Sequence, residues 1–211
     1  MKRTLYSIVF ASALFACGGK SNPPEPAPTP EAPTTVVEPA PPAAEPVAPE
    51  PAAPSQPAPP PPPKTAKAEL APASKSKVKG TIEFKEVEGG VEVIANVENL
   101  KPGDHAYHVH EKGDCSAPDA ASAGGHFNPH NKKHGSPDAE ERHEGDFGNL
   151  TAGKDGKATK TFVMKGITLA DGPTSIAGKG FIVHEKKDDF KTQPTGNAGG
   201  RIACGVITVN P

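Results

Sequence analysis

The amino-acid sequence predicts an all-β domain, an antiparallel sandwich or barrel, placed behind a long segment that cannot fold. Apolar and polar residues alternate at period two beyond Thr65, and Gly, Pro, Asn and Asp punctuate the alternating runs. No stretch repeats apolar residues at the spacing of an amphipathic helix. Residues 78–84 and 91–97 alternate around Glu88-Gly89-Gly90, the pattern of a β-hairpin. Further strands are expected at residues 106–110, 158–164, 180–184 and 202–209. Short strands separated by turn residues suit two packed sheets or one closed sheet. Residues 113–146 hold 5 Gly, 3 Pro and 4 His, and a loop this long in a compact domain is usually functional.

The division of the chain follows from its prolines. Of 27 prolines, 19 fall in residues 23–63, among Ala, Glu, Thr and Val. Such a segment buries too little apolar surface to offset its ordering entropy and reads as a passive, extended tether. At roughly 3.1 Å per residue in polyproline II it reaches on the order of 100 Å. Residues 65–211 remain as a single domain, with 19 Lys and Arg against 20 Asp and Glu. This balance argues against nucleic acid as a partner. No apolar run reaches the length of a bilayer span, which excludes a multi-pass membrane protein.

Lys2 and Arg3 precede an uncharged apolar run, residues 5–16, ending in Leu14-Phe15-Ala16-Cys17. A basic start, a short apolar stretch and a small residue before a cut site describe an export signal, residues 1–16. The Leu-Phe-Ala-Cys ending resembles the lipobox of bacterial lipoproteins, which implies lipid on Cys17 and a tether over residues 17–64. Gly18 is not the Asp associated with inner-membrane retention, so the expected location is the cell envelope, lipid-anchored on the periplasmic or surface face, with the outer membrane favoured. Lipid on Cys17 leaves Cys115 and Cys204 as an even pair in an oxidising compartment.

All 8 histidines lie between His105 and His184. His108-Val109-His110 on a strand puts both imidazoles on one face, where a pair suits Cu, Zn, Fe or Ni. His126, His134, His143 and Asp146 form an N₃O set suited to a structural Zn²⁺. His184 ends the run of residues 180–184 and is expected to reach the His108/His110 pair across a barrel.

Gly124-Gly-His126-Phe-Asn-Pro129, Lys133-His134-Gly135, Arg142-His143-Glu-Gly-Asp146-Phe-Gly-Asn149 and Gly196-Asn-Ala-Gly-Gly-Arg201-Ile-Ala-Cys204-Gly closely resemble copper/zinc superoxide dismutases. His108-Val-His110-Glu-Lys-Gly-Asp-Cys115 and Val183-His184-Glu-Lys-Lys-Asp188-Asp189 match as well. The resemblance spans the whole of residues 65–209. It implies an eight-stranded Greek-key β-barrel, an immunoglobulin-like sandwich with long metal-binding and electrostatic loops. It also implies dismutation of superoxide anion to dioxygen and hydrogen peroxide, with Cu and Zn as cofactors. By the same resemblance His108, His110, His126 and His184 bind copper, and His126, His134, His143 and Asp146 bind zinc. His126 is the shared, proton-handling ligand; Asp188 supports a ligand of each metal, His108 and His134. Arg201 guides the anion, and Cys115 pairs with Cys204 in a disulfide.

The sequence also departs from the family. Only 11 residues separate Asp189 from Arg201, and Pro194 stands where a steering lysine would align. Steering is then expected from Arg201 together with Lys186, Lys187 or Lys191. Cys115 follows His110 by 5 residues, as in bacterial members, which leaves a homodimer open as an assembly. His105 and His130 carry no ligand role and are expected to be structural. Two other readings remain: an envelope copper/zinc-binding protein without turnover, and a structural envelope protein whose proline-rich stretch contacts the wall.

Overall fold

The computed structural model describes residues 62–211. The export signal 1–16, Cys17 and the tether as far as residue 61 lie outside the described residues. Eight strands follow in order: β1 (Thr65–Pro72), β2 (Lys79–Val87), β3 (Gly90–Glu98), β4 (Gly103–His110), β5 (Asp146–Ala152), β6 (Ala158–Met164), β7 (Gly180–His184) and β8 (Arg201–Val209). The helical content among the described residues is one 3₁₀ turn, Ala121–Ala123.

All ladders are antiparallel, in the spatial order β5-β4-β7-β8-β1-β2-β3-β6. The chain crosses the barrel end from β3 to β4 and again from β6 to β7, which is the Greek-key connection. β5 and β6 approach each other without a hydrogen-bonded ladder, so the barrel is nearly closed.

The six strands legible from period two are present, with ends shifted by up to three residues. β1 and β5 lie outside the runs expected to be strands. β1, Thr-Ala-Lys-Ala-Glu-Leu-Ala-Pro, is rich in small and helix-favouring residues. Its alternate residues Ala66, Ala68 and Leu70 are buried nonetheless, because β2 and β8 pair with its two edges. β5 carries Asp, Gly and Asn, residues depleted in strands, yet pairs with β4. Tertiary pairing overrides local propensity in both.

The core holds Ile82, Phe84, Tyr107, Phe147, Leu150, Phe181 and Ile207. Phe147 and Phe181 meet edge to face at 5.6 Å between centroids, and Tyr107 packs on both. β4 from His105 to His110 and all of β7 are buried on both faces. Tyr107, Val109, Phe181 and Val183 point into the barrel, while Ile182 packs outside it with Cys204, Ala120 and Ala123 of the long loop. That loop, between β4 and β5, roofs the outer face of β4 and β7. A roofed outer face is where a polar cluster is buried without disrupting the barrel core.

Candidate metal centre

The site lies on that roofed outer face. β4 presents His108 and His110 there by strand alternation. β7 is the hydrogen-bonded neighbour of β4, with His108 opposite Ile182 and His110 opposite Gly180. His184 therefore arrives from the adjacent strand and not across the barrel, a correction to the expectation from sequence. The ring centroids of His108 and His184 are 5.0 Å apart, and those of His110 and His184 5.6 Å.

A triangle of backbone hydrogen bonds brings in the loop residues. Phe127 N–H donates to Val109 O (2.8 Å), Gly145 N–H to Phe127 O (2.9 Å) and Val109 N–H to Gly145 O (3.0 Å). His126 is thereby bridged to His110, and His143 and Asp146 are drawn to the same spot. Gly145 is required at this vertex, since a Cβ would fall on Val109 O and crowd Phe127 N.

Two donor sets result: His108, His110, His126 and His184, and His126, His134, His143 and Asp146. In each, the ligand atoms lie within 4.8 Å of one another and every residue is buried. His126 belongs to both, as expected from the sequence. In the first set one nitrogen of each ring is fixed and the other is free. His108 Nε2–H donates to Asp188 Oδ2 (2.8 Å), His110 Nδ1–H to Gly124 O (2.9 Å) and His184 Nδ1–H to Gly199 O (3.4 Å). His108 Nδ1 and the Nε2 atoms of His110, His126 and His184 are buried with no hydrogen-bond partner. Burial pushes the pKa of His108 down, and those of His110 and His184 far down. His126 is pushed down to about 4, by burial and by the charge of His108 beside it. Neutral imidazoles with bare, convergent lone pairs are metal ligands by their chemistry.

In the second set the Nδ1 atoms of His126, His134 and His143 point at Asp146 Oδ1 from 2.8, 2.9 and 3.2 Å. Three imidazoles exceed what the roughly two lone pairs of one carboxylate oxygen accept, and a shared cation satisfies all four atoms. Burial opposes ionisation of Asp146, but the three imidazoles override it and hold its carboxyl well below the usual range. Burial likewise opposes charge on His134, yet Asp146 and Asp188 raise it to about 9. Asp146 Oδ2 is occupied by the N–H groups of Gly135 and His143, which fixes the carboxylate plane.

Asp188 joins the two sets, taking His108 Nε2–H on one oxygen and His134 Nε2–H on the other (2.8 and 2.9 Å). Such a partner sets tautomer and ring orientation. Asn149 grips the Asp188 backbone at both N–H and C=O, and Gln193 does the same for His134. Asn149 stands in a motif recognisable in the sequence; Gln193 carried no signal, since a lone amide has no spacing to read.

Arg201 opens β8 and donates from Nη1 to Ala120 O and from Nη2 to Gly124 O, both at 2.7 Å. Cys115 and Cys204 form a disulfide that ties the same stretch of loop to β8. Of the lysines considered for steering, Lys186 lays its stem over Gly199, whose carbonyl orients His184, while Lys187 and Lys191 are exposed. His105 is buried with Nδ1 on His184 O and Nε2 on Lys101 O, both 2.9 Å, a structural clamp.

A Greek-key barrel whose roofed face converges two four-donor sets on one shared imidazole defines a protein fitted for a pair of metal ions. The family model for copper/zinc superoxide dismutase matches residues 78–207, and the chain belongs to that family. It is also similar to a solved structure, the clock protein EA4, at 41% identity over 70% of this chain and 96% of that one, with a TM-score of 0.65. The family implies copper and zinc, and the bare nitrogens and crowded carboxylate fit them.

Proposed function

We propose that the protein is a superoxide dismutase, with copper held by His108, His110, His126 and His184 and zinc by His126, His134, His143 and Asp146. The observation that carries this reading is the shared His126, whose Nε2 is bare in one set while its Nδ1 belongs to the other. Copper, when bound, supplies a one-electron redox couple, and zinc a fixed charge that does not change oxidation state. The chain supplies the rest. Arg201 places a positive charge beside the first set, where a monoanion is drawn in and oriented by the guanidinium fork. His126 holds a proton at Nε2 in one half of the cycle and surrenders it to the reduced oxygen species in the other. With that proton and a second from solvent, two superoxide anions give dioxygen and hydrogen peroxide. Asp188 keeps His108 and His134 in the tautomers that leave their Nδ1 atoms free to bind.

A second reading, metal holding without turnover, draws support from the likeness to a protein described as a clock protein. The presence of Arg201, fixed by two carbonyls beside the first set, favours turnover. The deciding experiment is superoxide consumption by the protein reconstituted with both metals, against His126→Ala. Fast, copper-dependent consumption that collapses in the variant supports the enzyme; two bound metals with no more turnover than free copper overturn it.

The reading extends to location. The leader and Leu14-Phe15-Ala16-Cys17 support lipid on Cys17 and a tether of residues 17–64, with the domain of residues 65–211 facing the periplasm or the cell surface from the outer membrane. Metabolic labelling with a radioactive fatty acid, retained by the protein and lost in Cys17→Ser, is the expected result. The homodimer belongs to the same set of proposals, and sedimentation of the domain in analytical ultracentrifugation decides it: a mass of two chains supports it, and a mass of one overturns it.

A further inference from the structure

Among the described residues, six buried side-chain atoms have no hydrogen-bond partner. Four are the ring nitrogens of the first donor set, and a fifth is the neutral Tyr107 hydroxyl. The sixth is Oε2 of Glu144. Glu144 is 5% exposed, and a buried carboxylate oxygen without a partner is expensive unless something positive meets it. Its other oxygen, Oε1, accepts a hydrogen bond from His130 Nδ1–H at 2.7 Å.

The pair repeats the signature of the cluster: a buried ligand atom left bare on a side chain whose companion atom is fixed. His130 and Glu144 line one surface cleft, with Gly89, Gly90, Ile167 and Thr174. Lys132, the cation of that lining, already donates its ammonium to Glu140 O at 3.2 Å. His130 is half exposed and open to solvent-borne ions. It is also the one imidazole outside the donor sets that the backbone does not hold: its Nδ1 meets Glu144, whereas both nitrogens of His105 are engaged by carbonyls.

We propose that His130 and Glu144 form a further, peripheral site for a divalent transition-metal ion of the zinc and copper class. Imidazole nitrogen and carboxylate oxygen are the protein ligands, and solvent completes the coordination. With two protein ligands instead of four, the site binds more weakly than the cluster and exchanges its ion with solution. It is independent of turnover at the cluster.

The test is equilibrium dialysis of the protein against zinc after the cluster has been loaded with both metals and its content counted. One additional equivalent is expected in the wild type. It is lost in His130→Ala, a half-exposed position whose replacement leaves the thermal melt in place, and bound at least tenfold more weakly in Glu144→Gln. The loaded metals stay bound in both variants. Absence of an additional equivalent in the wild type overturns the proposal, and so does an equivalent that both variants bind unchanged.

Discussion

Arg201 and His110 donate to the same carbonyl oxygen, that of Gly124: Arg201 through Nη2 at 2.7 Å and His110 through Nδ1 at 2.9 Å. One peptide unit of the loop therefore orients a histidine of the first donor set and the cation beside it. Glu111 packs against Gly124 and accepts the N–H of Gly125, so the residue following His110 closes the same contact. The guanidinium and the first donor set are positioned by one piece of backbone, not by separate scaffolds.

Arg201→Leu removes the positive charge while keeping much of the side-chain volume. Dismutation is expected to fall by about 10-fold or more, in line with the on-rate gain from electrostatic focusing. The dependence of rate on ionic strength flattens as well. Copper and zinc contents stay level, because Arg201 donates to carbonyls and not to a ligand side chain. Rate against salt concentration, with metal counted in each sample, is the measurement; loss of copper in the variant contradicts the assigned role.

The disulfide stabilises the loop that carries Gly124. Cys115 and Cys204 enclose a sequence separation of 89 residues. In the chain-entropy model a loop of this length contributes about 4–5 kcal/mol, an upper figure. Cys204→Ser is expected to lower the melting temperature and also the activity, since Ala120 and Gly124 lose their tie to β8 and with it their hold on Arg201. Retained activity at temperatures well below the melt, with unchanged salt dependence, shows that packing of Ala120, Ala123 and Ile182 holds the loop unaided.

Legibility in the sequence tracked the kind of constraint involved. Strands buried on one face, such as β2, β3 and β6, show alternation and are legible directly. β5 was hidden because Asp146, Gly148 and Asn149 serve the site and the turn of the chain, Gly148 at a φ of +88°. The ligand identities were legible, since imidazoles cluster in sequence as well as in space. The placement of His184 was not, because strand order, and hence adjacency of β4 and β7, is a tertiary property. Carbonyl partners such as Gly124 O and Gly199 O leave no trace in sequence, since every residue has one.

Asp188→Asn tests the bridge between the sets. The amide keeps one acceptor and turns the other position into a donor, which faces the N–H of either His108 or His134. One ring loses its partner and its tautomer is released. Affinity for the metal it serves is expected to fall by roughly 10–100-fold. Competition with chelators of graded strength reads this for each metal separately. An unchanged pair of affinities sinks the bridging role.

Glu86, at the end of β2, ties down the turn before residue 170 by accepting the Thr168 hydroxyl and the N–H groups of Leu169 and Ala170. The Thr168 hydrogen bond chiefly, helped by the two backbone donors and opposed by burial, lowers its pKa from the ordinary 4.5. A carboxyl depressed by folding adds stability that is complete above its unfolded value and is lost as pH falls through the folded one. Glu86→Gln is therefore expected to cost stability at neutral pH and less as the solution is acidified through the lowered folded-state pKa, below which both proteins present an uncharged side chain. Thermal melts of the two proteins across that range should converge; parallel curves would leave Glu86 without a role in the pH dependence.

Two glycines, Gly145 at a vertex of the backbone triangle and Gly125 beside it, separate steric need from mere proximity to the site. A Cβ on Gly145 falls on Val109 O and lies 3.0 Å from Phe127 N, two atoms that form the other vertices. A Cβ on Gly125, also beside a ligand, meets nothing within 4 Å, and neither residue has a left-handed φ. Gly145→Ala must push the His126 segment off β4, with an overpacking cost of about 1–3 kcal/mol. Gly125→Ala is expected to stay within about 0.5 kcal/mol of the wild type. Because the displaced segment carries the shared histidine, Gly145→Ala also loses metal from both sets together, whereas loss at a single peripheral ligand would empty one first. Melting temperature and metal content measured on the two variants distinguish these cases: equal effects at the two glycines refute the triangle as the device that seats His126.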